Sequence, residues 1–97
     1  MRNFIDVLGR PAVFDPSFIC VVATDRFLSG WGCAEGKIHK QVIVCPDYET
    51  AARVASNMNR NGYSYINIRR RGSFPTFSGS RYSVSYRFAT DCPAFMR

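Results

Sequence analysis

The sequence feature that most constrains the fold is the run SFICVVATD at residues 17–25, which is apolar at nearly every position and β-branched in the middle. A short run of this kind is typical of a strand that is buried on both faces. A second run, KIHKQVIVC, predicts another strand over about 38–45, which ends at Pro46. The glycine-rich loop between the two is too short for a crossover helix, so we expect these strands to pair antiparallel.

The segment after Pro46 predicts a helix over about 48–61. Asp47 is a favourable N-cap residue, and Gly62 can take the left-handed conformation that ends a helix. One side of this helix is apolar at the spacing i, i+3, i+4, i+7, and consists of Ala51, Val54, Ala55 and Met58. Because two of these side chains are only methyl groups, the helix can lie close to a sheet.

Two further strands with alternating polarity follow the helix. In YSYINIR, residues 63–69, Ile66 and Ile68 point to one side, and we expect them to face the helix. The apolar side of RYSVSYRF, residues 81–88, consists of Tyr82, Val84, Tyr86 and Phe88. The resulting order β-β-α-β-β predicts an α+β fold, a mostly antiparallel sheet of about four strands with one helix packed on one face. Residues 1–16 show no pattern that assigns them an element.

The predicted fold has no second helix to cover the other face of the sheet. We expect the apolar sides of the last two strands, including Val84 and Phe88, to pack under the helix. The open face then carries Tyr63, Tyr65, Arg69, Arg81 and Arg87. Aromatic rings among guanidinium groups suit single-stranded nucleic acid, because bases stack on the rings while arginines meet phosphates. An ordinary solvated face or a protein contact would show the same residues.

The net charge of +6 is distributed unevenly along the chain. Residues 1–49 contain five cations and six acids, a net charge of −1, whereas residues 50–97 contain eight arginines and one acid, a net charge of +7. The planar guanidinium group of arginine binds carboxylates and phosphates through paired hydrogen bonds. This distribution predicts an anionic partner, although a basic surface can also serve solubility alone.

The densest basic stretch comes at the end of the third predicted strand, where three arginines are adjacent in sequence. The connection that follows, residues 71–80, adds Phe74 and Phe77. We expect the Phe77 side chain to be less buried than that of Phe74. Arginine and aromatic residues together are typical of interaction hot spots. The predicted partner-binding residues are Arg69, Arg70, Arg71, Arg81, Arg87, Tyr63, Tyr65 and Phe77.

Catalysis and cofactor binding find no support in the sequence. The single histidine, His39, lies in a predicted strand with no serine, cysteine or carboxylate placed for nucleophilic or acid–base chemistry. The segment SGWGCAEGK lacks the spacing of a phosphate-binding loop, so we predict no cofactor. We therefore expect a non-enzymatic protein whose 97 residues form a single domain.

A membrane or secreted location is not predicted either. Every apolar run is shorter than the ~20 residues that cross a bilayer. The opening MRNFIDVLGR also lacks the long apolar segment of a signal peptide. We therefore expect the protein to be cytoplasmic.

Residues 24–70 resemble a family of small phage and prophage proteins. The shared features are a TD-x-F-x-SGWG-x-AEGK segment, a YE-x-A helix and a YINIR-like strand, which together cover about half of the chain. By analogy with other small phage-encoded proteins, the resemblance implies an anti-CRISPR-type inhibitor of a host defence. Such an inhibitor would bind a host protein or ribonucleoprotein complex that processes nucleic acid. The alternative is a small single-stranded nucleic-acid-binding protein that uses an open sheet face.

The cysteines yield a prediction that can be tested directly. Cys20 and Cys45 lie inside apolar runs, where a free thiol behaves as a small core residue, and no C-x-x-C pair suggests a metal site. We expect metal analysis to find no stoichiometric zinc, and thiol counting on denatured protein to find four free thiols. One zinc per chain, or fewer than four thiols in protein from a reducing cytoplasm, would contradict this prediction.

Overall fold

The computed structural model describes residues 2–24, 38–77 and 82–96, which form six strands, one α-helix and two 3-10 turns. In chain order these are β1 (Arg2–Ile5), β2 (Pro11–Phe14), β3 (Ile19–Thr24), β4 (Ile38–Cys45), α1 (Tyr48–Arg60), β5 (Ser64–Ile68), β6 (Tyr82–Phe88), and 3-10 turns at Ala89–Asp91 and Ala94–Met96. The order from β3 onward is the predicted β-β-α-β-β, and the α+β class is confirmed. Within the described ranges, no helix has the length and apolar character needed to cross a bilayer.

The main sheet has four strands in the order β5-β3-β4-β6. β3 pairs antiparallel with β4, as predicted, and antiparallel with β5 on its other side. β4 and β6 pair in parallel, so one of the three pairings departs from the antiparallel pattern. Among the described strands, β5 and β6 are therefore the two edges of this sheet.

The two central strands are buried on both of their faces. Every residue of β3 is buried, and β4 is buried from Gln41 to Cys45. Since apolar side chains project from both sides of these strands, each face of the sheet needs its own cover. The protein consequently has two separate apolar cores.

Helix α1 covers one face, and its two ends form as the sequence predicts. The Asp47 side chain accepts a hydrogen bond from the backbone N–H of Thr50 at 2.7 Å. At the other end Gly62 has a φ of 85°, and the Tyr63 N–H donates to the Met58 carbonyl at 3.1 Å. The helix residues buried against the sheet are Ala51, Val54, Asn57 and Met58.

The opposite face is covered by the N-terminal hairpin and by aromatic rings. β1 and β2 pair antiparallel and place Phe4 and Phe14 over the sheet. The ring of Phe74, from the connection after β5, lies 5.8 Å from Phe4 and 5.2 Å from Phe14 and stacks on Tyr86 at 5.0 Å. This second core contains Phe4, Ala12, Phe14, Phe18, Cys20, Val22, Val42, Val44, Phe74, Phe77, Val84, Tyr86 and Phe88.

The prediction that Val84 and Phe88 pack under the helix is therefore wrong. The alternation in β6 is as expected, but its parallel register places Phe88 opposite Val44, and Val44 belongs to the hairpin-side core. Residues directly opposite on paired strands share a face of the sheet. The face predicted to be open is thus covered over its centre, and the Tyr86 hydroxyl on that face donates to the Pro75 carbonyl at 2.8 Å.

A buried carboxylate holds the turn of the N-terminal hairpin. Asp6 accepts hydrogen bonds from the backbone N–H groups of Leu8 and Arg10, each at 2.9 Å, and from Arg10 Nε at 2.8 Å. The Arg10 guanidinium also pairs with Asp91, which ties the hairpin to the C-terminal segment. Burial acts to raise the pKa of Asp6, but the hydrogen bonds from Arg10 and Leu8 bring that pKa below its ordinary value.

We expect Asp6→Asn to destabilise the fold at neutral pH and to flatten the acid limb of its stability profile. A carboxyl with a lowered pKa in the folded state gives its full stabilisation above its unfolded pKa of about 3.9. That stabilisation is lost as the pH falls through the folded-state pKa. Urea unfolding at several pH values between neutrality and strong acid measures the effect. Equal acid sensitivity of the two proteins would contradict the role given to Asp6.

Candidate functional site

The predicted arginine cluster lies at one edge of the four-stranded sheet. Arg69, Arg70 and Arg71 directly follow the edge strand β5, and all three are exposed. Arg71 donates from Nη1 to the carbonyl of Ser17 at 3.1 Å. Within the described part of the chain, no carboxylate forms an ion pair with any of the three. We call residues 64–73 the arginine edge.

The backbone that carries these arginines is fixed to the sheet. The Arg69 N–H donates to the Cys20 carbonyl at 2.8 Å, which extends the β3–β5 ladder by one residue. The Gly72 N–H donates to the Phe18 carbonyl at 2.9 Å. Gly72 has a φ of 78°, and a Cβ there would lie 3.0 Å from the Pro16 carbonyl oxygen, so this turn requires glycine. The three guanidinium groups are thus displayed from an ordered backbone.

β5 contains a β-bulge at Tyr65. Two β5 residues, Tyr65 and Ile66, lie opposite the single β3 residue Ala23. Tyr65 has a φ of 53°, in the left-handed region that residues other than glycine rarely adopt. A residue held in such a conformation costs on the order of 1–3 kcal/mol, and strain of this kind is concentrated at functional sites. Tyr65 is also 84% exposed, which singles it out as a candidate contact residue.

The bulge separates two tyrosines that we predicted on the same face. Tyr63 packs against the helix-side core together with Ile66 and Ile68, whereas Tyr65 lies on the other side. The prediction that Tyr63 and Tyr65 share a face is wrong, because an extra residue in a strand reverses its alternation. The left-handed residue of such a bulge is normally glycine, so YSYINIR gave no sequence signal for it.

A lysine that sequence reasoning missed lies beside Tyr65, at the end of β5 away from the arginines. The Lys40 ammonium lies 5.8 Å from the ring centre of Tyr65 and 5.7 Å from that of Phe77, and it donates to Thr24 Oγ1 at 2.7 Å. Phe77 is half-buried and lies 5.7 Å from the ring of Tyr82. Lys40 thus makes cation–π contacts with both rings. Sequence reasoning could have placed Lys40 beside Tyr65 only from the register of β3 and β4, in which Lys40 lies opposite Thr24.

A further predicted site residue, Arg87, does not join this edge. Arg87 lies on β6, at the opposite edge of the sheet, and its register opposite Ile43 places it on the helix side. It is half-buried, and its Nε has no hydrogen-bond partner among the described residues. Arg81 lies outside the described ranges. Among the described residues, the site predicted from sequence therefore separates into the three adjacent arginines at one end of β5 and, at its other end, Tyr65 and Phe77 with Lys40.

Among the described residues, the other reactive side chains form neither a nucleophilic nor a metal site. His39 lies between two hydroxyls, with Ser83 Oγ at 3.1 Å from Nδ1 and Ser85 Oγ at 3.0 Å from Nε2. Burial raises the pKa of Cys20 and of Cys45 to about 12, so both thiols stay protonated at neutral pH. In the ranges that the structure describes, no group of three or more His, Cys, Asp or Glu residues could hold a metal ion.

No family model, curated protein or solved structure matches the chain. The resemblance of residues 24–70 to phage proteins thus stays a prediction. Most of its glycine- and tryptophan-containing segment, residues 25–37, lies outside the described ranges.

The bulge yields a prediction about stability. Because only glycine enters the left-handed region without strain, Tyr65→Gly should be more stable than Tyr65→Ala by about 1 kcal/mol. Asn67 is an exposed residue of the same strand without a positive φ, so Asn67→Gly should be less stable than Asn67→Ala. Urea unfolding of the four variants measures both differences. If Tyr65→Gly is less stable than Tyr65→Ala, the backbone at position 65 is not strained, and this prediction is wrong.

Proposed function

We propose that the protein is a non-enzymatic inhibitor of a host defence, of the anti-CRISPR type, that acts in the host cytoplasm. In this proposal the arginine edge docks on an anionic surface of a host complex that processes nucleic acid. The observation that carries it is the display of Arg69, Arg70 and Arg71 from a fixed backbone, without an ion pair to any described carboxylate. The resemblance of residues 24–70 to phage proteins supports the inhibitor role.

The charge arrangement favours binding over a role in folding. Arg10 shows what a structural arginine looks like here, since it bridges Asp6 and Asp91 and closes the hairpin. The three edge arginines are instead adjacent in sequence, and none forms an ion pair with a described carboxylate. They are therefore available to an anion of a binding partner. Carboxylates of an acidic protein patch and phosphates of a bound RNA both fit a guanidinium group.

Single-stranded nucleic-acid binding is the second candidate, and Tyr65 is the observation that favours it. Tyr65 is 84% exposed beside the Lys40 ammonium, on the strand that precedes the arginines. A base stacked on such a ring contributes about 1–3 kcal/mol. The centre of this sheet face is filled by aromatic side chains, so among the described residues the stacking surface consists of Tyr65 and its neighbours.

The charge of the arginine edge can be tested by substitution. We expect the triple variant R69E/R70E/R71E to lose binding to anionic probes, here polyglutamate and a short oligo-dT, because it removes attraction and adds repulsion. The neutral triple variant R69Q/R70Q/R71Q should weaken binding less. Exposed ion pairs contribute roughly 0–1 kcal/mol each, so the melting temperature should stay nearly unchanged. Fluorescence anisotropy and thermal unfolding measure the two effects.

A matched control places the same charge change elsewhere on the surface. Arg2, Arg53 and Arg60 are exposed and lie outside residues 64–73, so R2E/R53E/R60E should bind the probes better than the edge variant does. Equal losses in the two triple variants would show that only net charge matters. Wild-type-like binding by the edge variants would contradict the proposal.

The same probes separate the two candidate functions. A nucleic-acid-binding protein should bind oligo-dT without any protein partner, and its affinity should fall steeply with salt. Its affinity for oligo-dT should also fall markedly in Tyr65→Ala, because the base loses its stacking ring. An inhibitor that docks on acidic protein should prefer polyglutamate and depend less on Tyr65.

A further inference from the structure

We propose that the arginine edge holds its partner by strand addition, with an acidic extended segment of the partner pairing along β5. This inference rests on the proposed function and specifies how the anionic partner is bound. Strand addition is a recurrent mode of peptide recognition, in which main-chain hydrogen bonds supply affinity and side-chain contacts supply specificity.

The backbone of β5 has an N–H and a C=O, both of Ile68, that face away from β3. Among the described strands, β5 pairs with β3 alone. The hydrogen bond from the Arg69 N–H to the Cys20 carbonyl marks these two residues as a bonded pair of the antiparallel ladder. Bonded and non-bonded pairs alternate along such a ladder. Ile68, which lies opposite Val21, therefore directs its N–H and C=O away from β3 and toward the open edge.

The arginines determine which kind of strand this edge can accept. Basic residues on an exposed edge oppose pairing with an identical edge, because the two sets of charges repel each other. A second copy of this chain is thus a poor occupant of β5. An acidic segment meets attraction from Arg69, Arg70 and Arg71 at the point where β5 ends. Charge complementarity therefore selects an acidic partner.

A shallow depression beside the edge can receive side chains of the added strand. It has a volume of about 410 Å³ and is lined by Asn67, Ile68, Arg69, Arg70 and Ser73. The side chains of this lining offer amide, hydroxyl and guanidinium donors, which all suit a carboxylate. At the other end of β5, the bulge at Tyr65 disrupts the ladder and limits the pairing to the segment next to the arginines.

Peptides that differ only in their backbone donors test this inference. The probe is a short peptide of alternating glutamate and valine, and two matched peptides carry N-methyl groups on every valine or on every glutamate. Successive residues of a strand direct their N–H groups to opposite edges. Strand addition therefore predicts that one methylated peptide loses at least about tenfold in affinity, as expected for two or three lost hydrogen bonds, while the other does not.

The possible results separate the inference from the proposed function. If all three peptides bind equally, or if both methylated peptides weaken equally, strand addition is wrong. If strand addition fails in this way but binding still disappears in R69E/R70E/R71E, the proposed function stands. The arginines then dock on the acidic partner by charge alone. If the probe fails to bind while oligo-dT binds, strand addition is wrong and the edge serves nucleic acid. Unequal loss together with dependence on the arginines supports strand addition.

Discussion

The burial of both faces of the β3–β4 pair is the constraint on which the rest of the structure depends. All six residues of β3 and the second half of β4 are removed from solvent, so neither face of the sheet can be left bare. A single helix covers one face. The other cover is assembled from distant parts of the chain, since Phe4, Phe14 and Phe74 come from two strands and a connection and meet in one aromatic cluster. The hairpin that contributes two of these rings is held closed by Asp6.

This double cover decides where charge and contact residues can lie. With both faces filled at their centres, the arginines are placed at the end of edge strand β5, on a backbone that is bonded to β3. The bulge then directs Tyr65 outward beside Lys40. A basic edge with one exposed ring and open main-chain groups is well suited to hold an anionic partner. The proposed docking on an anionic partner and the proposed mode of binding are both argued from this filled sheet and charged edge.

The sequence predicted the local elements better than the arrangement of the faces. Asp47 and Gly62 mark the ends of α1, and the apolar run of β3 marks a central strand, because caps and hydrophobic periods are local properties. The side to which β6 turns Val84 and Phe88 depends on its register with β4, which the alternation alone does not contain. The bulge at Tyr65 was also beyond prediction, since it arises without the glycine that usually accompanies a left-handed residue.

Residue-resolved hydrogen exchange in the free protein is the most direct test of whether the arginine edge is open. The Arg69 amide is bonded to Cys20 and should exchange slowly, whereas the Ile68 amide, directed away from β3, should exchange much faster. This contrast between neighbouring residues is what an unpaired edge requires. Equal, strong protection of both amides would mean that β5 is already covered, and it would contradict the open edge on which the binding proposals depend.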